Sequence, residues 1–218
     1  MDAKTHWDTI YRTKQPHEVS WFQREAQVSL ALIRRVAPDL NARIIDVGGG
    51  ASTLIDGLIA EGYRHLTVLD LSPAALDLAR RRVGAVAAVV TWLEGDALSA
   101  DLPARYFDVW HDRACFHFLT STLDRARYVA QVRRSVKPGG HVLIATFAHD
   151  GPSRCSGLPV ARYTGSALHQ EFGAGFRLVD SVRDEHVTPS GAMQAFVYCL
   201  CQVAPPASER MPEPHVAA

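Results

Sequence analysis

The chain has 218 residues, 47% of them hydrophobic and 21% charged, which suits a globular protein with a full core and excludes a chain disordered throughout. Lys plus Arg and Asp plus Glu each number 23, so no excess positive charge is present to hold a polyanion, and nucleic-acid binding is not expected. The four cysteines, Cys115, Cys155, Cys199 and Cys201, include no C-x-x-C pair, and no metal site is expected.

The start, Met1-Asp-Ala-Lys-Thr-His-Trp-Asp8, has no basic segment followed by an apolar one, and no signal peptide is expected. The longest apolar run, Ala85 to Val90, is far short of the ~20 residues of a membrane helix. A cytoplasmic protein, monomeric or weakly dimeric, is expected. The arginine runs Arg34-Arg35, Arg80-Arg81-Arg82 and Arg133-Arg134 fall in helical stretches and read as solvated faces.

Gln23 to Val36 is an amphipathic helix ended at Pro38. Arg43 to Val47 is a short apolar run closed by glycines, hence a buried strand. Ser52 to Glu61 is helical, and Leu66 to Asp70 is a second strand. Ser72-Pro73 then starts a helix, with the hydroxyl as N-cap and proline at the first helical position, and Gly84 stops it. Ala85 to Leu93 is expected as strand three and Phe107 to Asp112 as strand four. A helix from Leu123 to Val136 breaks at Lys137-Pro-Gly-Gly140, and strand five runs from His141 to Phe147. Strands alternating with helices predict a doubly wound, parallel α/β sheet. Phe176 to His186 and Met193 to Val203, joined by Thr188-Pro-Ser-Gly191, close it with an antiparallel hairpin.

Asp46-Val-Gly-Gly-Gly50 lies between strand one and a helix, where glycines let the backbone approach a ligand. Asp70 ends strand two, the place of a carboxylate that accepts ribose hydroxyls. The dinucleotide fingerprint G-x-G-x-x-G fails, because Thr53 stands in the third glycine's place. Asp46 would repel a pyrophosphate but suits an ammonium group. Asp96, after strand three, can meet an adenine amino group. An ammonium, a ribose and an adenine without phosphate describe S-adenosylmethionine.

These segments resemble the class I S-adenosylmethionine-dependent methyltransferases. The carriers are Ile45-Asp-Val-Gly-Gly-Gly50, Val68-Leu-Asp-Leu-Ser-Pro73, Leu93-Glu-Gly-Asp-Ala97, Phe107-Asp-Val-Trp-His-Asp112 and Val136-Lys-Pro-Gly-Gly140, in order, within a resemblance from Ile44 to about Gln202. It implies a Rossmann-like, seven-stranded, mostly parallel sheet whose last strand is antiparallel. It also implies cofactor contacts at Asp46, Gly48, Gly50, Asp70, Leu71, Asp96, Ala97 and Asp112; Gly49 departs from the Cys of many members and is counted with them. A single methyltransferase domain over 1–203 is expected: a lid arm and helix over 1–38, a sheet core over 43–203, and a disordered tail over 204–218.

The arm carries Trp7, Tyr11, Trp21 and Phe22, aromatics suited to covering a ligand, and Tyr11 and Trp21 are expected beside the cofactor. Trp7-Asp-Thr-Ile-Tyr11 with Trp21-Phe22 is similar, more weakly, to elongation-factor lysine methyltransferases, and the Trp-Asp start to thiopurine methyltransferase. The alternative is that Trp7 and Trp21 staple the first helix to the sheet.

Past strand four, Asp112, Arg113 and His117 form the expected catalytic set, with His117 as the base and Arg113 as an anchor for an anionic acceptor or a partner of Asp112. His111 and His117 also read as core histidines. His149, Arg162 and Tyr163 are expected to bind substrate from the loops after strand five. The expected activity is methyl transfer to a small thiol, hydroxyl or amine. Protein lysine methylation and non-catalytic binding of S-adenosylmethionine are the alternatives.

Overall fold

The computed structural model describes residues 2–205; the expected tail lies, from residue 206 on, outside them. Helix α1 (Ala3–Thr13) is capped by Asp2, whose Oδ1 accepts from Thr5 N at 2.9 Å. The amphipathic helix α2 (Gln27–Val36) begins four residues later than its pattern suggested. Then come β1 (Arg43–Val47), α3 (Leu54–Ala60), β2 (His65–Asp70) and α4 (Pro73–Val83), with Ser72 capping α4 as the sequence predicts.

Strand three is shorter than expected. Gly84, at φ +62°, turns the chain, and Gly84–Val89 forms a 3-10 helix with no buried residue; β3 (Val90–Glu94) starts only at Val90. The stretch is rich in alanine, which favours strands little, and it leads into the sheet's edge, where nothing pairs it. Next are β4 (Phe107–Arg113), α5 (Thr122–Ser135) and β5 (Val136–Phe147). β5 runs through the expected glycine break, where Gly139 is at φ +77°, with a register shift between Phe107 and Val109 opposite it. A small hairpin, β6 (Arg154–Cys155) with β7 (Leu158–Pro159), precedes α6 (Gly165–Phe172). The chain closes with β8 (Phe176–Val187) and β9 (Met193–Val203).

The seven-stranded sheet has the order β3-β2-β1-β4-β5-β9-β8. β1 to β5 pair in parallel, and β9 is antiparallel to both β5 and β8. One face buries Leu32 and Ile33 of α2 with Leu54 and Leu58 of α3. The other buries Tyr128 and Val132 of α5 with Leu168 and Phe172 of α6. The sheet is thus covered on both sides, which its apolar central strands require. No described helix is long and apolar enough to cross a membrane.

α1 lies outside this sandwich, against α4. Asp8 Oδ1 accepts from Ser72 Oγ at 3.0 Å and from Ala74 N at 3.2 Å, a second carboxylate contact at the α4 N-terminus. The docked helix sets the arm's aromatics over the carboxyl ends of the parallel strands.

Candidate active site

The parallel register of β1 and β4 sets Asp46 opposite His111. Partners in register leave the same face of a sheet, and these two meet. His111 Nδ1 lies 2.7 Å from Asp46 Oδ1, and His111 Nε2 lies 2.9 Å from Ser29 Oγ on α2. An ionised carboxylate only accepts, so Nδ1 donates to it. All three residues are buried. Asp46 Oδ2 is buried without a partner. It faces a small cavity of about 50 Å³ lined by Ser29, Asp46, Gly48, Gly49, His111 and Arg113 among others.

The glycine loop leaves room where side chains would not fit. At Gly48, φ is +66° and a Cβ would come 2.6 Å from Cys115 Cβ; at Gly50 it would come 2.8 Å from Asp70 Oδ2. Asp70 ends β2 with Oδ1 accepting from Ser72 N at 2.8 Å. Burial pushes its carboxyl up to about 7. Asp96 accepts from Leu98 N at 2.8 Å, which folds the turn after β3.

A second cavity, of about 240 Å³, joins these groups. One end is lined by Asp70, Leu71, Asp96 and Ala97, the other by Trp7, Trp21, Arg113, Phe118 and Cys155. Tyr11, Trp21, Gly48 and Arg113 line both cavities. Trp7 packs edge-on against Trp21 at 5.7 Å and Phe118 at 4.9 Å between ring centroids, so the arm roofs the second end.

The structure brings together Tyr11, Trp21, Asp46, Gly48, Gly49, Asp70, Leu71, Asp96, Ala97 and Arg113, with Gly50 beside Asp70. It does not bring the rest. Asp112 points to the opposite face from Arg113, as successive strand residues do. Its oxygens accept from Cys115 N at 2.9 Å, from Phe116 N at 3.0 Å and from the Tyr128 hydroxyl. Burial still raises its carboxyl to about 6. It holds the turn after β4 and lines neither cavity, away from the place expected of it.

His117 also lines neither cavity. It is fully buried between Phe118 and Phe147, with neither ring nitrogen hydrogen-bonded. Burial first, and the Arg113 cation second, hold its pKa down to about 3. His149 and Arg162 are exposed, and Arg162 Nη1 donates to Gly151 O at 3.0 Å. Tyr163 is in the core on the α5 side, its hydroxyl 3.3 Å from Glu171 Oε1. None of these three residues lines either cavity, whereas Cys155 of β6 does.

A family model described as a methyltransferase domain matches residues 44–140. The ubiquinone/menaquinone biosynthesis C-methyltransferase of Ruegeria sp. is 26% identical over 71% of this chain and 64% of its own length. The ubiquinone biosynthesis O-methyltransferase of Alkalilimnicola ehrlichii is 32% identical over 74% of this chain and 62% of its own. The chain therefore spans less than two thirds of the length of these relatives. Among solved structures, the 1,6-didemethyltoxoflavin-N1-methyltransferase of Burkholderia thailandensis superposes with a TM-score of 0.68 at 21% identity, over 93% of this chain and 87% of that one.

Residues 44–140 therefore carry a methyltransferase domain, similar to those of the relatives above. The fold is the α/β sheet that the sequence predicts, with the cavity at the carboxyl ends of the strands. S-adenosylmethionine, the cofactor of the family, carries an ammonium, a sulfonium and ribose hydroxyls. The donor set fits it: three carboxylates, Asp46, Asp70 and Asp96, surround the cavities, and the unpartnered Asp46 Oδ2 is open to an N–H donor.

Several residues of the site escape sequence reasoning. Ser29 had a signal, since it is a polar residue on the buried face of α2 with Leu32 and Ile33. Phe118, Cys155, Tyr198 and Phe196 had none, because only the fold places them around Arg113.

Proposed function

We propose that this protein transfers the methyl group of S-adenosylmethionine to a small-molecule acceptor. The observation that carries this reading is one continuous cavity with two unlike ends, carboxylates at one and an aromatic roof at the other. Asp46 receives the ammonium of the cofactor, Asp70 its ribose hydroxyls, and the Asp96-Ala97 turn its adenine. Bound there, the cofactor supplies an electrophilic methyl group on sulfur. The chain's own contribution is alignment of the acceptor and exclusion of water, through Trp7, Trp21 and Phe118. His117 is too deeply enclosed to relay a proton. Acceptors that reach the site already deprotonated, or that lose their proton to water, suit it best.

Balanced charge and four unpaired cysteines support a cytoplasmic protein, monomeric or weakly dimeric, that binds no nucleic acid. The test is incubation with methyl-labelled S-adenosylmethionine and a cell extract divided into small-molecule and protein fractions. Label in the small-molecule fraction is expected. Label confined to protein would overturn the choice of acceptor, and no transfer would overturn the activity.

A further inference from the structure

Arg113 is a cation at the acceptor end of the cavity with no carboxylate partner among the described residues. Three of its interactions are with neutral groups. Nε donates to the Tyr198 hydroxyl and Nη1 to Trp21 O, each at 3.1 Å, and the guanidinium carbon lies 4.2 Å from the Phe196 ring centroid. Nη2 is buried with no hydrogen-bond partner. The groups that sense its charge, His117, His186 and Cys155, carry no negative charge near neutral pH. The two histidines are held down by burial and by Arg113 itself, and the thiol is pushed up by burial to about 11. Sequestering a guanidinium without a counter-charge is costly, and so is an unmatched buried N–H. A site that maintains both is built to receive an anion.

The position of Arg113 says whose anion it is. Its anchors are on β9, across β5 from β4, and in the arm. Asp70 and Asp96 are on the other side, past β1, while Asp46 on β1 shares the smaller cavity with Arg113, so the cofactor's own carboxylate is the rival anion. Trp7, Trp21 and Phe118 give this end large flat apolar surfaces, beside the Cys155 thiol. We propose that Arg113 Nη2, beneath this aromatic roof, is the subsite for an oxyanion of the methyl acceptor, and that the acceptor is a small, flat organic acid bearing a carboxylate or a phenolate or enolate oxygen. This rests on the methyltransferase reading above.

The test uses the full chain saturated with S-adenosylhomocysteine, titrated calorimetrically with benzoate, salicylate and 4-hydroxybenzoate, and with benzamide as the neutral counterpart. At least one acid should bind ten times more tightly than benzamide. Arg113→Met, which keeps the stem over Phe196, should lose that preference, and Arg113→Lys should keep part of it. Equal binding of acids and amide by the wild-type chain overturns the proposal without any variant. So does an Arg113→Met chain that binds the acids as before. The proposal also fails if that variant loses S-adenosylhomocysteine tenfold while keeping methylthioadenosine, because Arg113 then serves the cofactor's own carboxylate. Failure of the wild-type chain to bind S-adenosylhomocysteine would instead defeat the methyltransferase reading itself.

Discussion

The two ends of the cavity are built from opposite charges, and each end has its own buried histidine. At the cofactor end, His111 has both ring nitrogens bonded and ties Asp46 to Ser29. At the acceptor end, His117 has neither nitrogen bonded and lies among Phe118, Phe147 and the Arg113 cation. One imidazole positions a carboxylate that a ligand needs. The other is a neutral filler of an aromatic layer. Burial alone therefore does not mark a functional histidine; what its nitrogens touch does.

Removing His111 should have the largest effect. His111→Ala leaves buried Asp46 with neither oxygen hydrogen-bonded, and an unmatched buried acceptor costs up to ~3 kcal/mol or more. Urea unfolding should show a loss of that order, with partial rescue by His111→Asn. A loss under ~1 kcal/mol would mean that Asp46 is solvated and that the contrast between the histidines is false.

Loss of the arm comes next. A chain lacking residues 1–20 removes Trp7 and Tyr11 and uncovers both ends together. It should keep the sheet, seen by circular dichroism, yet bind S-adenosylhomocysteine ~10-fold more weakly, about 1.4 kcal/mol. Unchanged affinity and turnover would reduce α1 to a packing element.

The smallest effect belongs to His117. His117→Leu removes two unmatched buried nitrogens at similar volume, so stability at pH 7 should hold or rise by ~1 kcal/mol. Its pH dependence has a definite sign. The folded pKa of about 3 lies below the ordinary 6.5, so the unfolded chain takes up the proton first as pH falls. The wild-type chain should therefore lose stability progressively from pH 6.5 toward 3, and the leucine variant should lose less over that window. Turnover by the variant should match the wild type; a fall of ~10²-fold would restore His117 as a base.

The two ends also differ in how far they can be read from sequence. Asp46, Asp70 and Asp96 each lie within two residues of the end of a parallel strand, so strand, turn and acid are adjacent in the chain and carry a local pattern. The acceptor end joins Trp7, Arg113, Cys155 and Tyr198, which only tertiary packing brings together. His149, Arg162 and Tyr163 follow the right strand, yet Cys155 of β6 lines the cavity and they do not. Helix α1 had a legible cap in Asp2 and a Trp7–Tyr11 pair one turn apart, signals outweighed by its place ahead of the fold. Strand three was overextended because an alanine-valine run carries no periodicity to separate strand from turn.

The most direct measurement is calorimetric titration of the wild-type chain and Asp70→Ala with S-adenosylhomocysteine, with NAD as the control ligand. Two hydroxyl bonds to a carboxylate contribute ~1.5–3 kcal/mol each before desolvation offsets part of it. S-adenosylhomocysteine should bind the wild-type chain and NAD should not. Asp70→Ala should weaken binding by ~2–4 kcal/mol. Equal affinity in the variant, or preference for NAD, would contradict the account.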